Sequence, residues 1–228
     1  MKKRDEYNYS AFKGKYYMSK KFKGLNKGRE IVDYELTTLI GEKKKISDFL
    51  DKPLVLEVGS ISCPMYAMHV SPMQEVVEEY PQFNFIVLYV REAHPAGKIT
   101  AHKNLGEKLE MAQETTQFYG EQRTILVDDL DGQAHKMYGL MPNSIYIIDT
   151  NGIILFSKAW NNANYLKPVL DNILHNKSTD HLKFGREQPS FYHLFRTFRK
   201  TGYKALFDFI IQAPLLLWKL LMYGNRNR

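Results

Sequence analysis

A short apolar run that leads into a cysteine-bearing turn and then into a helix most constrains how this chain can fold. Residues 53–58 are rich in Leu and Val, as expected of a buried strand. Residues 59–62 supply turn formers, and the segment from Pro64 to about residue 80 keeps a helical pattern. Cys63, the single cysteine of the sequence, therefore lies at or just before a helix N-terminus.

This position of Cys63 favours a reactive thiolate. Unpaired backbone N–H groups and the positive end of the helix dipole stabilise a negatively charged sulfur. A lone cysteine is often an inert part of the core, but Ser62 and Pro64 flank this one in a turn. We therefore predict an ionised thiol that solvent can reach. A single cysteine also excludes an internal disulfide, so nothing in the sequence argues for an oxidising compartment.

Strand-like and helix-like segments alternate along the middle of the chain. The order β-α-β-α-β-(α)-β-β-α is that of an α/β thioredoxin-like fold, with three layers around a mixed central sheet. In such folds the functional site lies at the C-terminal edge of the strands, where Cys63 falls. The predicted strands cover residues 54–58, 83–89, 124–127, 145–148 and 153–156, and residues 33–41 are predicted to form a strand that runs into a turn. The predicted helices cover 48–50, 64–80, 104–119, 134–138 and 162–175.

Charge divides the chain into three parts. Residues 1–30 carry ten Lys and Arg against three acids, residues 31–180 carry thirteen against twenty, and residues 181–228 carry nine against two. We interpret 1–30 as a loosely ordered basic arm, 31–177 as the thioredoxin-like domain and 178–228 as a basic, apolar-aromatic helical extension. Basic ends bind anionic lipid or nucleic acid, or they simply aid solubility. The acidic body offers no basic groove for nucleic acid.

The C-terminal extension predicts contact with a membrane surface or with protein. Its longest uncharged run, residues 209–218, is shorter than the about 20 residues that span a bilayer. An interfacial helix and packing against the body or a second subunit both fit the pattern. No apolar stretch follows the first ten residues, so we expect no secretory signal. We expect a cytoplasmic protein with peripheral membrane contact through residues 190–228.

Several local motifs resemble the iodothyronine deiodinase family, a thioredoxin-fold group related to peroxiredoxins. Residues 53–64, which end in Gly-Ser-Ile-Ser-Cys-Pro, look like the family's active-site turn, with Cys63 where selenocysteine usually stands. Residues 88–95, Leu-Tyr-Val-Arg-Glu-Ala-His-Pro, are close to the family segment Tyr-Ile-Glu-Glu-Ala-His-Pro. His102, ahead of a helix, matches a further family histidine. The resemblance extends over about residues 33–162.

The resemblance implies an oxidoreductase that removes iodine from an aromatic small-molecule substrate. Cys63 would attack the iodine, while a proton is delivered to the ring carbon. A carboxylate, two imidazoles and a phenol can pass protons near neutral pH. The residues that would form this acid–base set are Tyr89, Glu92, His94 and His102.

Further residues would support the sulfur. By resemblance, Ser60 and Ser62 would donate hydrogen bonds near it. Pro142 stands before a predicted strand, where thioredoxins carry a cis-proline beside the thiol. Ser144 stands where the family has the arginine that holds the hormone carboxylate.

The cysteine count also restricts turnover. With no second cysteine to resolve an oxidised Cys63, the reductant must be an external thiol, either glutathione or a dithiol protein. No bound cofactor is expected, and no His/Cys spacing predicts a metal site. A homodimer is implied only by the resemblance.

Two other functions compete with deiodination. In a one-cysteine thiol peroxidase, Cys63 would be oxidised to sulfenic acid, and Ser60 stands where a peroxidase hydroxyl would. Against this, Leu56 replaces the peroxiredoxin proline, and Asn143 replaces the arginine that polarises peroxide. Arg123 is the other arginine that could approach the thiol in space.

The third function is a non-catalytic redox-fold module that binds a membrane or a partner through the basic ends.

Overall fold

The protein is built on a mixed β-sheet, seen in a computed structural model that describes residues 7–12, 22–185 and 187–211. Within this described part, the strands are β1 (Leu36–Thr38), β2 (Lys43–Lys44), β3 (Leu54–Gly59), β4 (Asn84–Tyr89), β5 (Thr124–Val127), β6 (Ile145–Ile148) and β7 (Ile154–Lys158). They form one sheet in the order β2-β1-β5-β4-β3-β6-β7. The pairs β3–β4 and β4–β5 are parallel, and the other neighbouring pairs are antiparallel.

Helices cover both faces of this sheet. They are α1 (Pro64–Glu79), α2 (Leu105–Tyr119), α3 (Gln133–Met137), α4 (Ala163–Leu174) and α5 (Phe191–Thr201), with a 3-10 turn at Ile46–Phe49. Helices α1, α2 and α4 pack on the face that includes Val55 and Val87, and α3 packs on the opposite face with Leu56 and Leu88. Burial on both faces explains the continuous apolar runs of the central strands. The predicted three-layer thioredoxin-like fold is confirmed.

The short helical turn before β3 differs from its prediction. The sequence pattern predicts a turn over 48–50 with Ser47 as its cap, whereas the 3-10 turn covers Ile46–Phe49 and follows Lys45. The carboxylate of Asp33 explains the shift, because it accepts hydrogen bonds from the Ile46 N–H (3.0 Å) and the Ser47 hydroxyl (2.5 Å). This contact joins separate segments, so the local pattern does not contain it.

Residues 7–12, inside the predicted loose arm, are packed against the domain. Tyr7, Tyr9 and Phe12 are buried. The guanidinium of Arg91 lies over the rings of Tyr7 and Tyr9, 4.8 Å from each centroid. Such cation–π contacts and the burial of aromatic area hold the segment in place. For residues 7–12 the prediction of a loose arm is therefore wrong, while the domain boundaries stay a prediction.

The C-terminal extension also packs on the domain. Helix α5 lies against α1, and a second helical segment, residues 203–211, follows it. Phe198 and Ala205 are buried on the inner side of this pair. No helix in the described ranges is both long enough and apolar enough to cross a membrane. The remainder of the predicted interfacial segment, residues 212–228, lies outside the described residues.

The edge of the sheet that bears the cysteine is closely packed. β3 ends at Gly59, whose carbonyl accepts the N–H of Val90 (3.0 Å) beyond the end of β4. A Cβ added to Gly59 would lie 2.5 Å from the ring of Tyr66 in α1, so only glycine permits this approach. The turn after β3 and the loop after β4 consequently lie side by side.

Candidate active site

Cys63 lies at the junction of β3 and α1. Its backbone is extended (φ −94°, ψ 110°), and Pro64 follows it at the first helical position. The Cys63 N–H donates to the Ser60 carbonyl (3.0 Å), which closes the turn, and the Cys63 carbonyl accepts the N–H of Ala67 (2.9 Å). The helix N-terminal position expected from the sequence is therefore present.

The expected exposed thiolate, however, is absent from this conformation. The side chain of Cys63 is 1% exposed. Burial raises the pKa of the Cys63 thiol to about 12, although the N–H groups of Tyr66 and Met65 lower it, and the charges of Glu57 and Glu92 raise it further. Desolvation outweighs the helix N-terminus, so the sulfur is a neutral thiol at neutral pH.

Glu92 connects the predicted groups around the cysteine turn. The Tyr89 hydroxyl donates to Glu92 Oε1 (2.5 Å), and Ser62 donates to Oε2 from its N–H (3.1 Å) and from its hydroxyl. His102 Nε2 lies 3.1 Å from Oε1. Residues that lie far apart in the sequence thus converge on the turn that precedes Cys63.

Glu92 is ionised in spite of its burial. Burial by itself would raise the pKa of the Glu92 carboxyl, but the contacts from His102, Ser62 and Tyr89 together hold that pKa below its usual value. Burial and the adjacent carboxylate raise the pKa of the Tyr89 hydroxyl well above its usual value. At neutral pH the cluster therefore holds a carboxylate surrounded by proton donors.

The hydroxyls of Ser60 and Ser62 hold the loop that follows β4. Ser62 Oγ accepts the N–H of His94 (3.1 Å) while its proton goes to Glu92, and Ser60 Oγ accepts the N–H of Ala93 (3.3 Å). In this structure the Ser62 hydroxyl therefore donates to a carboxylate, which is a strong acceptor. Support of a Cys63 thiolate by Ser60 and Ser62 stays a prediction.

His94 is enclosed by aromatic rings from both ends of the chain. Phe12 stacks on the imidazole with centroids 4.2 Å apart, and Phe198 and Phe209 approach it edge-on at 5.4 and 5.6 Å. Burial lowers the pKa of His94 to about 3, although the charge of Glu92 raises it. The ring is therefore neutral, and its buried Nδ1 has no hydrogen-bond partner.

The loop before β6 borders the same edge, since the Val58 N–H donates to the Ser144 carbonyl (2.8 Å). Pro142 is buried in this loop. Its peptide bond is trans, as are all others in the described ranges, so the expected cis-proline is not present. The chain reverses there through left-handed backbone at Gly139 (φ 90°) and Leu140 (φ 60°).

Comparison with known proteins identifies the family. The family model described as iodothyronine deiodinase matches residues 7–176 of this chain. The chain belongs to the iodothyronine deiodinase family. It is 28% identical to thyroxine 5-deiodinase from Sparus aurata over 114 residues, which cover 45% of this chain and 42% of the relative. The chain spans about half the length of the curated relatives it matches.

Solved structures of lower identity share the fold of this deiodinase-family chain. The thioredoxin domain of a thiol-disulfide oxidoreductase from Bacteroides vulgatus superposes with a TM-score of 0.52 at 10% identity, covering 65% of this chain and 99% of that domain. A thiol peroxidase from Chromobacterium violaceum superposes with a TM-score of 0.51 at 13% identity, covering 66% of this chain and 89% of its own. Both likenesses show the fold alone.

The position at which the family resemblance implies an arginine carries no charge in this chain. Ser144 is buried, and its hydroxyl donates to the Tyr138 carbonyl (3.5 Å). Within the described residues, no group of three His, Cys, Asp or Glu side chains is arranged to hold a metal ion.

A second buried charge cluster is centred on Arg123, and the sequence reasoning missed most of it. Arg123 donates to Glu57 Oε2 and to Glu121 Oε2, both at 2.6 Å. Asn143 and Asn161 donate to the other Glu57 oxygen at 2.7 and 2.8 Å. The signal that could have revealed it is Glu57 itself, a charged residue inside an otherwise apolar strand, because a buried charge requires a partner.

This second cluster also positions the cysteine turn. The Tyr66 hydroxyl, from the first turn of α1, donates to Glu121 Oε2 (2.7 Å). Since Arg123 holds that same carboxylate, the start of α1 is tied to the interior by a charged anchor. The candidate site therefore combines the Glu92 cluster, which contacts Ser62 in the cysteine turn, with an ion-pair cluster that anchors Tyr66 in α1.

Proposed function

We propose that this protein is a thiol oxidoreductase that removes iodine from an iodinated aromatic ring, with Cys63 as the attacking group. The sulfur bonds to iodine, the carbon–iodine bond breaks, and a proton reaches the ring carbon, so a thiol and an aryl iodide give a sulfenyl iodide and the deiodinated ring. An external thiol then displaces iodide to form a mixed disulfide with Cys63 and release a proton. A second external thiol then attacks the mixed disulfide, which restores the Cys63 thiol and releases the reductant as a disulfide.

The observation that carries this proposal is the convergence of Ser62, Tyr89 and His102 on the carboxylate of Glu92 beside the cysteine turn. The reaction requires one proton to leave the sulfur and one to arrive at the ring carbon. A carboxylate in contact with several donors can accept the first and relay the second. Ser62 is adjacent to Cys63 in the sequence. Its hydroxyl would therefore carry protons between Glu92 and the reacting atoms.

The proposal also requires the site to open. A neutral, enclosed thiol is a poor nucleophile, because the thiolate is the reactive form of cysteine. The rings of Phe12, Phe198 and Phe209 surround His94, whose N–H is bonded to Ser62. Displacement of this aromatic cover would hydrate the sulfur, lower its pKa and free a surface on which an aromatic substrate ring could lie.

The substrate class follows from the same surroundings. Aromatic rings pack favourably against other aromatic rings in offset or edge-on geometry. Ser144 supplies no positive charge to pair with a carboxylate, and its hydroxyl donates to the Tyr138 carbonyl. We therefore propose that the iodinated ring, and not an amino-acid group attached to it, is the part of the substrate that this site recognises.

A one-cysteine peroxidase is the second candidate, and the contacts of Arg123 argue against it. From the sequence, Arg123 is the candidate for the guanidinium that polarises a peroxide. Its side chain instead donates to the carboxylates of Glu57 and Glu121, so these bonds would have to break before it served a substrate.

An assay of iodide release tests the proposal. Purified protein with dithiothreitol or glutathione is incubated with an iodinated phenol and, separately, with thyroxine, and free iodide is measured. We expect thiol-dependent release that Cys63→Ser abolishes, and faster turnover of the phenol than of thyroxine. Absence of iodide release, together with rapid trapping of a Cys63 sulfenic acid after peroxide, would overturn deiodination and favour the peroxidase. Neither activity would indicate a non-catalytic module.

A further inference from the structure

The C-terminal helices present a broad apolar face to solvent. Among the described residues outside these helices, Ile40 is the large apolar side chain that is more than half exposed, at 81%. A single exposed apolar side chain is ordinary, but several on two consecutive helical segments point to an interaction surface. The large apolar side chains of this patch, each more than half exposed, are Phe191, Tyr192, Phe195, Tyr203, Phe207, Ile210 and Ile211. We refer to them as the C-terminal face.

The spacing of these side chains makes both helical segments amphipathic. Phe191 and Phe195 are four residues apart on α5, and Phe207 and Ile211 are four apart on segment 203–211, so each pair lies on one side of its helix. The opposite side of the pair is buried against the domain, as Phe198 shows. The inner side of each helical segment packs against the domain, and the outer, aromatic side faces solvent.

Positive charge accompanies the exposed rings. Residues 191–211 carry four Lys and Arg against one acid. Arg199 and Lys204 are exposed, and Arg199 lines a cleft of about 350 Å³ together with Lys98 and Lys200. Glu114 also lines this cleft and pairs with Lys200, which leaves Lys98 and Arg199 as the cations without a carboxylate beside them in the cleft. Exposed aromatic rings flanked by Lys and Arg are the composition of helices that lie in the headgroup region of a membrane.

We propose that the C-terminal face docks onto an anionic lipid surface, with both helical segments lying in the plane of the interface. A second copy of the chain fits less well, because a two-fold contact would bring two copies of the same positively charged surface together. The sequence after residue 211 continues in the same character, with Leu215, Trp218 and Lys219 among its residues. Membrane binding would be peripheral and sensitive to salt, since much of it arises from charge.

Co-sedimentation of the full chain with lipid vesicles tests this proposal. We expect binding to vesicles that contain phosphatidylserine and little binding to vesicles of phosphatidylcholine alone. The double variant Arg199→Glu and Lys204→Glu should bind the anionic vesicles at least about 30-fold more weakly, from about 1 kcal/mol per basic residue at the surface. Phe195→Ser with Phe207→Ser should also weaken binding. Ile40→Ser and Lys177→Glu, exposed residues elsewhere, serve as matched controls and should bind like the wild type.

Three results would overturn the proposal: no wild-type binding to either vesicle, equal binding by the face variants and the controls, or a wild-type dimer that Phe195→Ser dissociates. Thermal unfolding of each variant verifies that it is folded. Cys63→Ser should bind vesicles like the wild type, so the outcome is independent of whether the protein deiodinates anything.

Discussion

Phe12 stacks on the imidazole of His94, with ring centroids 4.2 Å apart and planes inclined by 28°. One residue comes from the N-terminal segment and the other from the loop after β4, which Ser62 holds against the cysteine turn. An aromatic ring of the chain therefore occupies the space beside the Glu92 cluster. We expect this aromatic cover to move before Cys63 reacts, and the first prediction below starts from that expectation.

Removal of the Phe12 ring should expose the thiol. We expect Phe12→Ala to raise the rate of Cys63 alkylation by iodoacetamide about tenfold, because local opening of the cover becomes easier. Phe195→Ala is the matched control, since this ring on α5 is 63% exposed. Mass spectrometry over a time course gives both rates. Equal rates for the two variants would show that the aromatic cover does not limit access.

The alkylation rate of the wild-type protein should depend steeply on pH. Because burial raises the pKa of Cys63 to about 12, the thiolate fraction grows about tenfold for each pH unit below that value. We expect the rate to rise without a plateau from about pH 7 to about pH 10. A plateau near neutral pH would instead reveal a thiolate that is already formed in the resting protein.

Glu92→Gln should destabilise the protein in a pH-dependent way. The pKa of Glu92 is lower in the folded protein than its usual value of 4.5, so its ionised form stabilises the fold above that pH, and this contribution is lost as the pH falls through the folded pKa. At neutral pH we expect a loss of about 1–3 kcal/mol in the free energy of unfolding. Urea titrations at neutral and acidic pH measure it.

The exposed Glu75→Gln is the control for that experiment. The difference in unfolding free energy between Glu92→Gln and this control should shrink at acidic pH. A difference that stays constant across the pH range would contradict an ionised Glu92. In the iodide-release assay, Glu92→Gln should lower the rate by roughly 10²–10⁴-fold, the size of a general acid–base contribution.

Loss of Arg123 should be severely destabilising. Arg123→Ala leaves the carboxylates of Glu57 and Glu121 buried without their cation, and breaking a buried pair in this way costs about 3–5 kcal/mol. The control is Lys167→Ala, which removes an ion pair with Glu79 at the surface, where a much smaller effect is expected. Urea unfolding measures the free energy of unfolding of both variants. Similar losses for the two would contradict the structural role given to Arg123.

Local sequence patterns were sufficient for most of the fold. The strands at 124–127 and 145–148 lie where their apolar runs predict them, and helix α1 ends one residue before the predicted boundary. Two of the failures have one cause, which is a contact with a distant segment. Asp33 shifts the 3-10 turn, and the N-terminal aromatic residues pack against a loop that follows β4.

The candidate site also combines residues that sequence motifs identify with contacts that depend on the fold. Cys63, Tyr89, Glu92 and His102 could be selected from motifs, because the resemblance to one family is concentrated in those short stretches. The donation of the Ser62 hydroxyl to Glu92 depends on the tertiary contact between the cysteine turn and the loop after β4. The Arg123 cluster joins strands from separate parts of the chain, so Glu57 was its one visible sign.

The sequence by itself determined that a strand delivers the single cysteine to the N-terminus of a helix, because turn residues and apolar periodicity act over a few neighbouring positions. Only the tertiary structure decided the protonation state of that cysteine. The pKa of a thiol depends on the solvation of its charged form, and here solvent is excluded from Cys63, while Phe12, Phe198 and Phe209, which are distant in the sequence, enclose His94 in the adjoining loop.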